Sequence, residues 1–245
     1  MQNAIKRLRD LKLAGMVQSL EERNQYAIDH KLSYLEFMEI LLEDEFNNRK
    51  ENNYRKRFQK AKIPINKKLE DFDFSFQPSI NRKEINDLAT CHFIEKKENI
   101  LFMGQPGTGK THLATALGLK ALLKGYKVVF ARVSELLSAL QAGRADNTYR
   151  SKINQLFLAD LLILDELGFK MMDQKMVEDL FEVVSKKYET GSIIITSNKT
   201  FQEWNRIFND SVLATAILDR LIHHSHLIVI KWESFRIKSK KKDLK

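Results

Sequence analysis

The sequence predicts an α/β fold, a parallel sheet flanked by helices and preceded by a small all-helical domain. Two observations predict the sheet. Short apolar runs alternate with helical stretches along the later part of the chain, and the runs at 161–164 and 193–195 are continuously hydrophobic, as in strands covered on both faces. A third predicts the helical domain: before Pro64 the apolar residues recur at helical spacing.

The bulk numbers fit this division. A chain of 245 residues with 43% hydrophobic content buries one sizeable core and leaves residues for an accessory domain. The formal net charge of +9 favours a polyanionic partner, nucleic acid first. A lone cysteine, Cys91, excludes an intramolecular disulfide and sits beside Phe93 and Ile94, which suits a core thiol in a reducing compartment. No 18 apolar residues run together, so a soluble, cytoplasmic protein without a membrane partner is expected.

Ile5, Leu8, Leu11, Leu13, Met16 and Leu20 predict one amphipathic helix, with Lys6, Arg7, Arg9 and Lys12 between them. A second helix begins at Ser33, whose hydroxyl can cap it while Glu36 reaches back. Its stripe Leu35, Met38, Leu42 and Phe46 is expected in the core. The continuation exchanges that stripe for Arg49, Lys50, Arg55, Lys56, Arg57, Lys60 and Lys62, with Tyr54 and Phe58 interleaved. Such a stretch is either a solvated helix face or a surface for DNA phosphates.

Residues 65–80 show no period and read as a linker lying against the next domain through Phe72, Phe74 and Phe76. The expected domains are therefore 1–66, 67–236 and a basic tail at 237–245. Beyond the linker the order is helix 82–95, strand ENILFMG, a glycine-rich turn, helix 110–124 and strand KVVFARV. Helices through 134–158, strand LLILDE, helix 173–189, strand SIIITSN, helix 211–222 and a short strand at 227–230 complete it.

The turn after ENILFMG reads Gly104, Gln105, Pro106, Gly107, Thr108, Gly109, Lys110, Thr111, the pattern G-x-x-x-x-G-K-T. Its glycines let backbone N–H groups face phosphate oxygens, and the following helix, which opens Lys110, Thr111, His112, presents its positive end to them. ATP is the expected ligand, with Lys110 on the β- and γ-phosphates and the Thr111 hydroxyl on Mg²⁺. LLILDE ends a buried strand in two carboxylates: Asp165 is expected to hold Mg²⁺ and Glu166 to polarise the attacking water. SIIITSN brings Asn198, and secondarily Thr196, to the same sheet edge, where a polar side chain can contact the γ-phosphate or cap the next helix.

These elements together resemble the AAA+ ATPases. By that resemblance Arg220, in LDRL, is the arginine finger reaching a neighbouring subunit's ATP, and Arg236, in ESFRIK, is the sensor 2 arginine. The stretches NILFMGQPGTGKTHLATALG, LLILDELGF, GSIIITSNKTFQEW and ATAILDRLIHHSHLIVI are similar to the IstB family, transposition helper ATPases akin to the DnaC helicase loaders. Lys187 stands where that family usually has arginine, Trp232 where it has glycine and Phe235 where it has tyrosine. The resemblance implies Mg²⁺-dependent ATP hydrolysis, ATP-dependent homo-oligomers on duplex DNA and recruitment of the transposase of the same insertion element. The alternatives are a DnaC-like loader acting on a helicase and single strands, and an assembly protein that binds ATP without turnover. Candidate DNA contacts are Arg49, Lys50, Arg55, Lys56, Arg57, Lys60, Arg144, Arg150 and Lys152. His223, His224 and His226 fit no zinc spacing and are expected to pack or cap.

Overall fold

The computed structural model describes residues 2–64 and 67–231. They form two compact units that divide between Lys56 and Arg57. The division falls inside a helix, ahead of the boundary expected at 66, because the last turns of that helix bury Ala61 and place an Arg57 guanidinium N–H on the Leu122 carbonyl at 3.4 Å.

The first unit holds α1 (Gln2–Asp10), α2 (Ala14–Asp29) and most of α3 (Tyr34–Ala61). The single helix expected from Ile5 to Leu20 is thus two. Leu13 N–H donates to the Leu8 carbonyl and Lys12 N–H to that of Arg9, both at 2.9 Å, with Lys12 left-handed at φ 58°. This is the closure that glycine usually signals, made here by a lysine. Ser33 caps α3 as expected: its N–H donates to Glu36 Oε2 at 2.7 Å and its Oγ accepts the Glu36 N–H at 3.3 Å.

The packing of α2 on α3 overturns the expected core stripe. At the start of α2 the N–H groups of Gly15 and Met16 donate to Glu45 Oε2 at 2.6 and 3.3 Å, and Arg49 Nε donates to Glu45 Oε1 at 2.6 Å. A buried carboxylate therefore caps the positive end of α2. A Cβ on Gly15 would lie 2.7 Å from the Asp44 carbonyl oxygen, so only glycine lets the helices approach this closely. Farther along, Arg23 pairs with Asp44 through two N–H groups, at 2.8 and 2.9 Å. The inward face of α3 is consequently Leu41 and Glu45, and Leu35, Met38, Leu42 and Phe46 point to solvent.

The second unit continues through α4 (Arg82–Leu88) and α5 (His92–Glu95), split by buried Cys91 at φ 64°, where one helix was expected. Next come β1 (Asn99–Gly104), α6 (Lys110–Leu123), β2 (Val128–Arg132), α7 (Val133–Ala145), α8 (Tyr149–Phe157) and β3 (Leu161–Leu167). The order ends with α9 (Gln174–Lys187), β4 (Ser192–Ser197), α10 (Phe201–Phe208), α11 (Ser211–Ile222) and β5 (Ser225–Ile230). The sheet is wholly parallel, in the order β2-β3-β4-β1-β5.

On one face of the sheet α6 packs closely, since a Cβ on Gly118 would meet Ile163 Cδ1 at 2.6 Å. On the other, Leu101, Leu162, Leu164, Ile193 and Ile195 join residues of α7 to α11 in one core. Helix α10 has no counterpart in the expected order. Its signal is a capping box, with Thr200 Oγ1 accepting the Glu203 N–H at 3.4 Å, followed by the buried Trp204, Ile207 and Phe208. Among the described residues no helix is long and apolar enough to cross a membrane.

Candidate nucleotide site

The carboxyl ends of β1, β4 and β3 lie side by side, with Met103 opposite Ser197 and Leu164 opposite Ile195. Loops leaving this edge carry the predicted residues. After β1 the backbone takes left-handed values at Gly107 (φ 80°) and Gly109 (φ 95°), and α6 starts at Lys110 with no side chain capping it among the described residues. Its first N–H groups and dipole therefore face the loop's concavity, the arrangement that accepts an anion.

Within the loop, the buried Lys110 curls back so that Nζ donates to the carbonyls of Gly104 and Gln105, each at 2.7 Å. Thr108 Oγ1 also donates to the Gln105 carbonyl, at 2.9 Å. The ammonium is held beside the cradle that the first-turn N–H groups line, where phosphate oxygens would compete for it. Pro106 and Gln105 are exposed at the tip.

Asp165, at the end of β3, is 2% exposed. Its Oδ1 accepts from Thr111 Oγ1 at 2.8 Å and from Thr196 Oγ1 at 2.6 Å. A bulge follows, in which Asp165 and Glu166 together oppose Thr196. Glu166 takes φ 61° there, and its N–H donates to the same Thr196 Oγ1 at 2.9 Å. One threonine thus pins both halves of the Asp-Glu pair: the aspartate is drawn in and the glutamate is exposed. Backbone strain at a non-glycine residue, held by a specific side chain, is typical of functional positions. The hard oxygen pair of Thr111 and Asp165 suits Mg²⁺.

Asn198 is exposed one residue beyond β4, and the cap of the helix that follows is supplied by Thr200. Thr196 is the β4 residue that touches the acidic pair. Arg220 lies late in α11; one guanidinium N–H donates to the Ala216 carbonyl at 2.9 Å, and its carbon sits 5.0 Å from the centre of the Phe181 ring. Arg236 lies outside the described residues, as do Trp232, Phe235 and the tail at 237–245.

A second wall of the site was expected only as a linker. Residues 67–77 and the glycine-rich loop enclose a cavity of about 400 Å³ that Phe72, Phe76, Gly109 and Lys110 help to line. Phe72 lies so close over Gly109 that a Cβ there would be 2.6 Å from its ring. His112 holds this wall: its Nε2 is 2.8 Å from the Lys68 carbonyl and its ring meets Phe72 edge-on at 5.2 Å. The aromatic spacing of Phe72, Phe74 and Phe76 was visible in the sequence, but not that it covers the loop.

The basic candidates divide. Arg49 is held by Glu45, Arg55 by Glu51 and Arg57 by the Leu122 carbonyl. Arg144, expected as an exposed contact, grips buried Asp179 through two N–H groups at 2.7 and 3.0 Å and stacks 4.2 Å from the Tyr149 ring centre. Burial pushes the Asp179 carboxyl above its ordinary value in spite of this pairing. Lys152 donates to the Ala139 carbonyl at 3.2 Å. Lys50, Lys56, Lys60 and Arg150 are exposed and have no ion-pair partner among the described residues. In the histidine run His223 Nδ1 is 2.8 Å from Tyr188 Oη and His226 Nε2 is 2.9 Å from Glu98 Oε2.

A parallel five-stranded sheet in this order, with the glycine-rich loop on β1 and the acidic pair on β3, defines an AAA+ P-loop fold. Solved structures with this fold include AMPPCP-bound DnaA from Aquifex aeolicus, with TM-score 0.60 and 22% identity over 75% of this chain and 56% of that one. The DnaC helicase loader matches with TM-score 0.56 and 22% identity, over 70% of this chain and all of that one. The IstB-like ATP binding protein family model matches residues 6–243, and the chain belongs to that family. It is 43% identical to the ATP-binding protein of insertion sequence IS21 from Pseudomonas aeruginosa over 95% of this chain and 88% of that protein. It is 40% identical to that of IS5376 from Geobacillus stearothermophilus, over 94% and 92% of the two chains.

Proposed function

We propose that this insertion-sequence ATP-binding protein hydrolyses ATP, assembles with it on duplex DNA, and in that form presents target DNA to the transposase of its element. The observation that carries the reading is the joined pair of motifs, Thr111 on Asp165 and Thr196 on both Asp165 and Glu166. A mere binding loop needs no strained glutamate locked beside it.

In this reading Lys110 leaves the carbonyls of Gly104 and Gln105 for the β- and γ-phosphates, and the α6 N–H groups hold their oxygens. Thr111 and Asp165 would hold Mg²⁺, which supplies charge neutralisation of the phosphates. Glu166 orients the water and takes its proton. Asn198 reaches the γ-phosphate from the end of β4. Arg220 leaves Phe181 for the neighbouring subunit's ATP, and Arg236 reads the nucleotide within its own chain. Lys50, Lys56, Lys60 and Arg150 supply DNA phosphate contacts, with little base specificity.

Phosphate release measured with Mg²⁺, ATP and duplex DNA tests the proposal. Glu166→Gln should abolish turnover and keep ATP binding. Equal turnover in the variant would remove Glu166 from the chemistry, and no turnover in the parent chain would leave a binding protein. Preference for single strands together with coelution of a replicative helicase would instead mark a loader.

A further inference from the structure

We infer that Asn99, the first residue of β1, is a positioning residue for Arg220: its side-chain amide fixes the end of α11 from which that arginine reaches a neighbouring subunit's ATP. The inference rests on the proposed reading of Arg220 and deepens it, by naming what sets the arginine's place.

The last carbonyls of a helix have no partner within it, so the end of α11 needs donors from elsewhere. The Asp219 carbonyl accepts the His223 N–H at 3.0 Å, and the Ile222 carbonyl accepts from Ser225 Oγ at 2.9 Å. The two between them, those of Arg220 and Leu221, accept from Asn99 Nδ2 at 3.4 and 3.2 Å. At the other end of the same amide, Oδ1 accepts the Ile193 N–H at 2.9 Å, at the start of β4. The Asn99 backbone N–H donates to the His224 carbonyl at 2.7 Å. Asn99 is 7% exposed. Asparagine is uncommon in strands and costly to bury, and here both ends of a buried amide join β1, β4 and α11.

The hold is on the backbone of Arg220, not on its head. The guanidinium rests on the Ala216 carbonyl at 2.9 Å and beside the Phe181 ring, contacts within its own chain that it would leave to reach another subunit. A long side chain that swings outward delivers its charge accurately only from a fixed origin, and a misplacement of about 1 Å can cost about a hundredfold in rate. β1 ends at Gly104, where the glycine-rich loop begins. One strand therefore links the loop for a subunit's own ATP to the arginine that the subunit offers its neighbour.

The test is complementation between full-length variants, with phosphate release measured in ATP, Mg²⁺ and duplex DNA. Asn99→Leu nearly matches the shape of asparagine and removes the amide. Alone it should keep ATP affinity and lose about tenfold or more in turnover. Mixed with Glu166→Gln, which supplies an intact arginine, it should regain turnover; mixed with Arg220→Ala, which supplies none, it should not. Asn99→Ser makes the same comparison if Asn99→Leu does not fold. Recovery with Arg220→Ala would place the damage in the variant's own ATP site. Recovery with neither partner would make Asn99 a general brace of the fold, and parent-like turnover would leave it without a part in the reaction. Each of these overturns the inference. Glu166→Gln mixed with Arg220→Ala is the control. If that pair releases phosphate and the Asn99 pattern fails, the inference alone falls; if that pair stays inactive, the reading of Arg220 falls and the inference with it.

Discussion

Asp165 accepts two hydroxyl donors on one oxygen, and Thr196 serves both it and the Glu166 N–H. Thr196→Val removes both threonine bonds at nearly constant volume, leaving a buried carboxylate short of a donor and the bulge unpinned. Turnover should fall about tenfold or more with ATP affinity nearly unchanged, in phosphate-release and nucleotide-titration assays. Unchanged turnover would make the threonine purely architectural. Lys187 offers a test by pH. Burial lowers its pKa to about 8, and its ammonium donates to the Ala159 and Phe157 carbonyls. Its unfolded value is about 10.4. Between the two values the unfolded chain holds a proton that the folded chain has released, so this group raises stability with pH from about 8 to about 10.4 and penalises it below. Denaturant unfolding of the parent chain and Lys187→Met should therefore differ in slope across that window, the parent gaining relative to the variant as pH rises.

The glycine-rich loop and the Asp-Glu strand end were legible because phosphate and metal chemistry fix residue types at a set spacing. The burial of α3 was not. Amphipathic spacing announces an apolar stripe but not its partner, and here the partner face is chosen by a buried polar contact, Glu45 on the N-terminus of α2. Glu45→Ala would strand the N–H groups of Gly15 and Met16 and should cost about 2 kcal/mol, seen as faster amide exchange at the start of α2. Exchange no faster than in the parent chain would refute the capping role. Gly15→Val should be worse, since the obstacle is the backbone of α3. The break between α1 and α2 escaped for a related reason: a lysine occupies the left-handed position where glycine is the usual sign. Helix α10 carried its capping box in plain view, whereas the cover that residues 67–77 give the loop depends on tertiary packing of Phe72 on Gly109, which no local pattern encodes.

At the scale of the whole molecule, the parallel sheet follows from its continuous apolar runs, and the identity of the family rests on motifs spread over nearly the full chain. The site within one chain is incomplete on the proposed reading, for Arg220 packs on Phe181 and the Ala216 carbonyl of its own subunit. Arg220→Ala should keep ATP affinity and lose turnover, while Lys110→Ala should lose ATP affinity, turnover and ATP-dependent assembly together. The central claim is that catalysis is completed across a subunit boundary, and mixing two inactive variants measures it directly. Glu166→Gln retains the arginine and lacks the base; Arg220→Ala retains the base and lacks the arginine. With ATP, Mg²⁺ and duplex DNA present, the mixture should release phosphate although each variant alone does not. A mixture as inactive as its parents, or full turnover by an isolated monomer of the parent chain, would contradict the account.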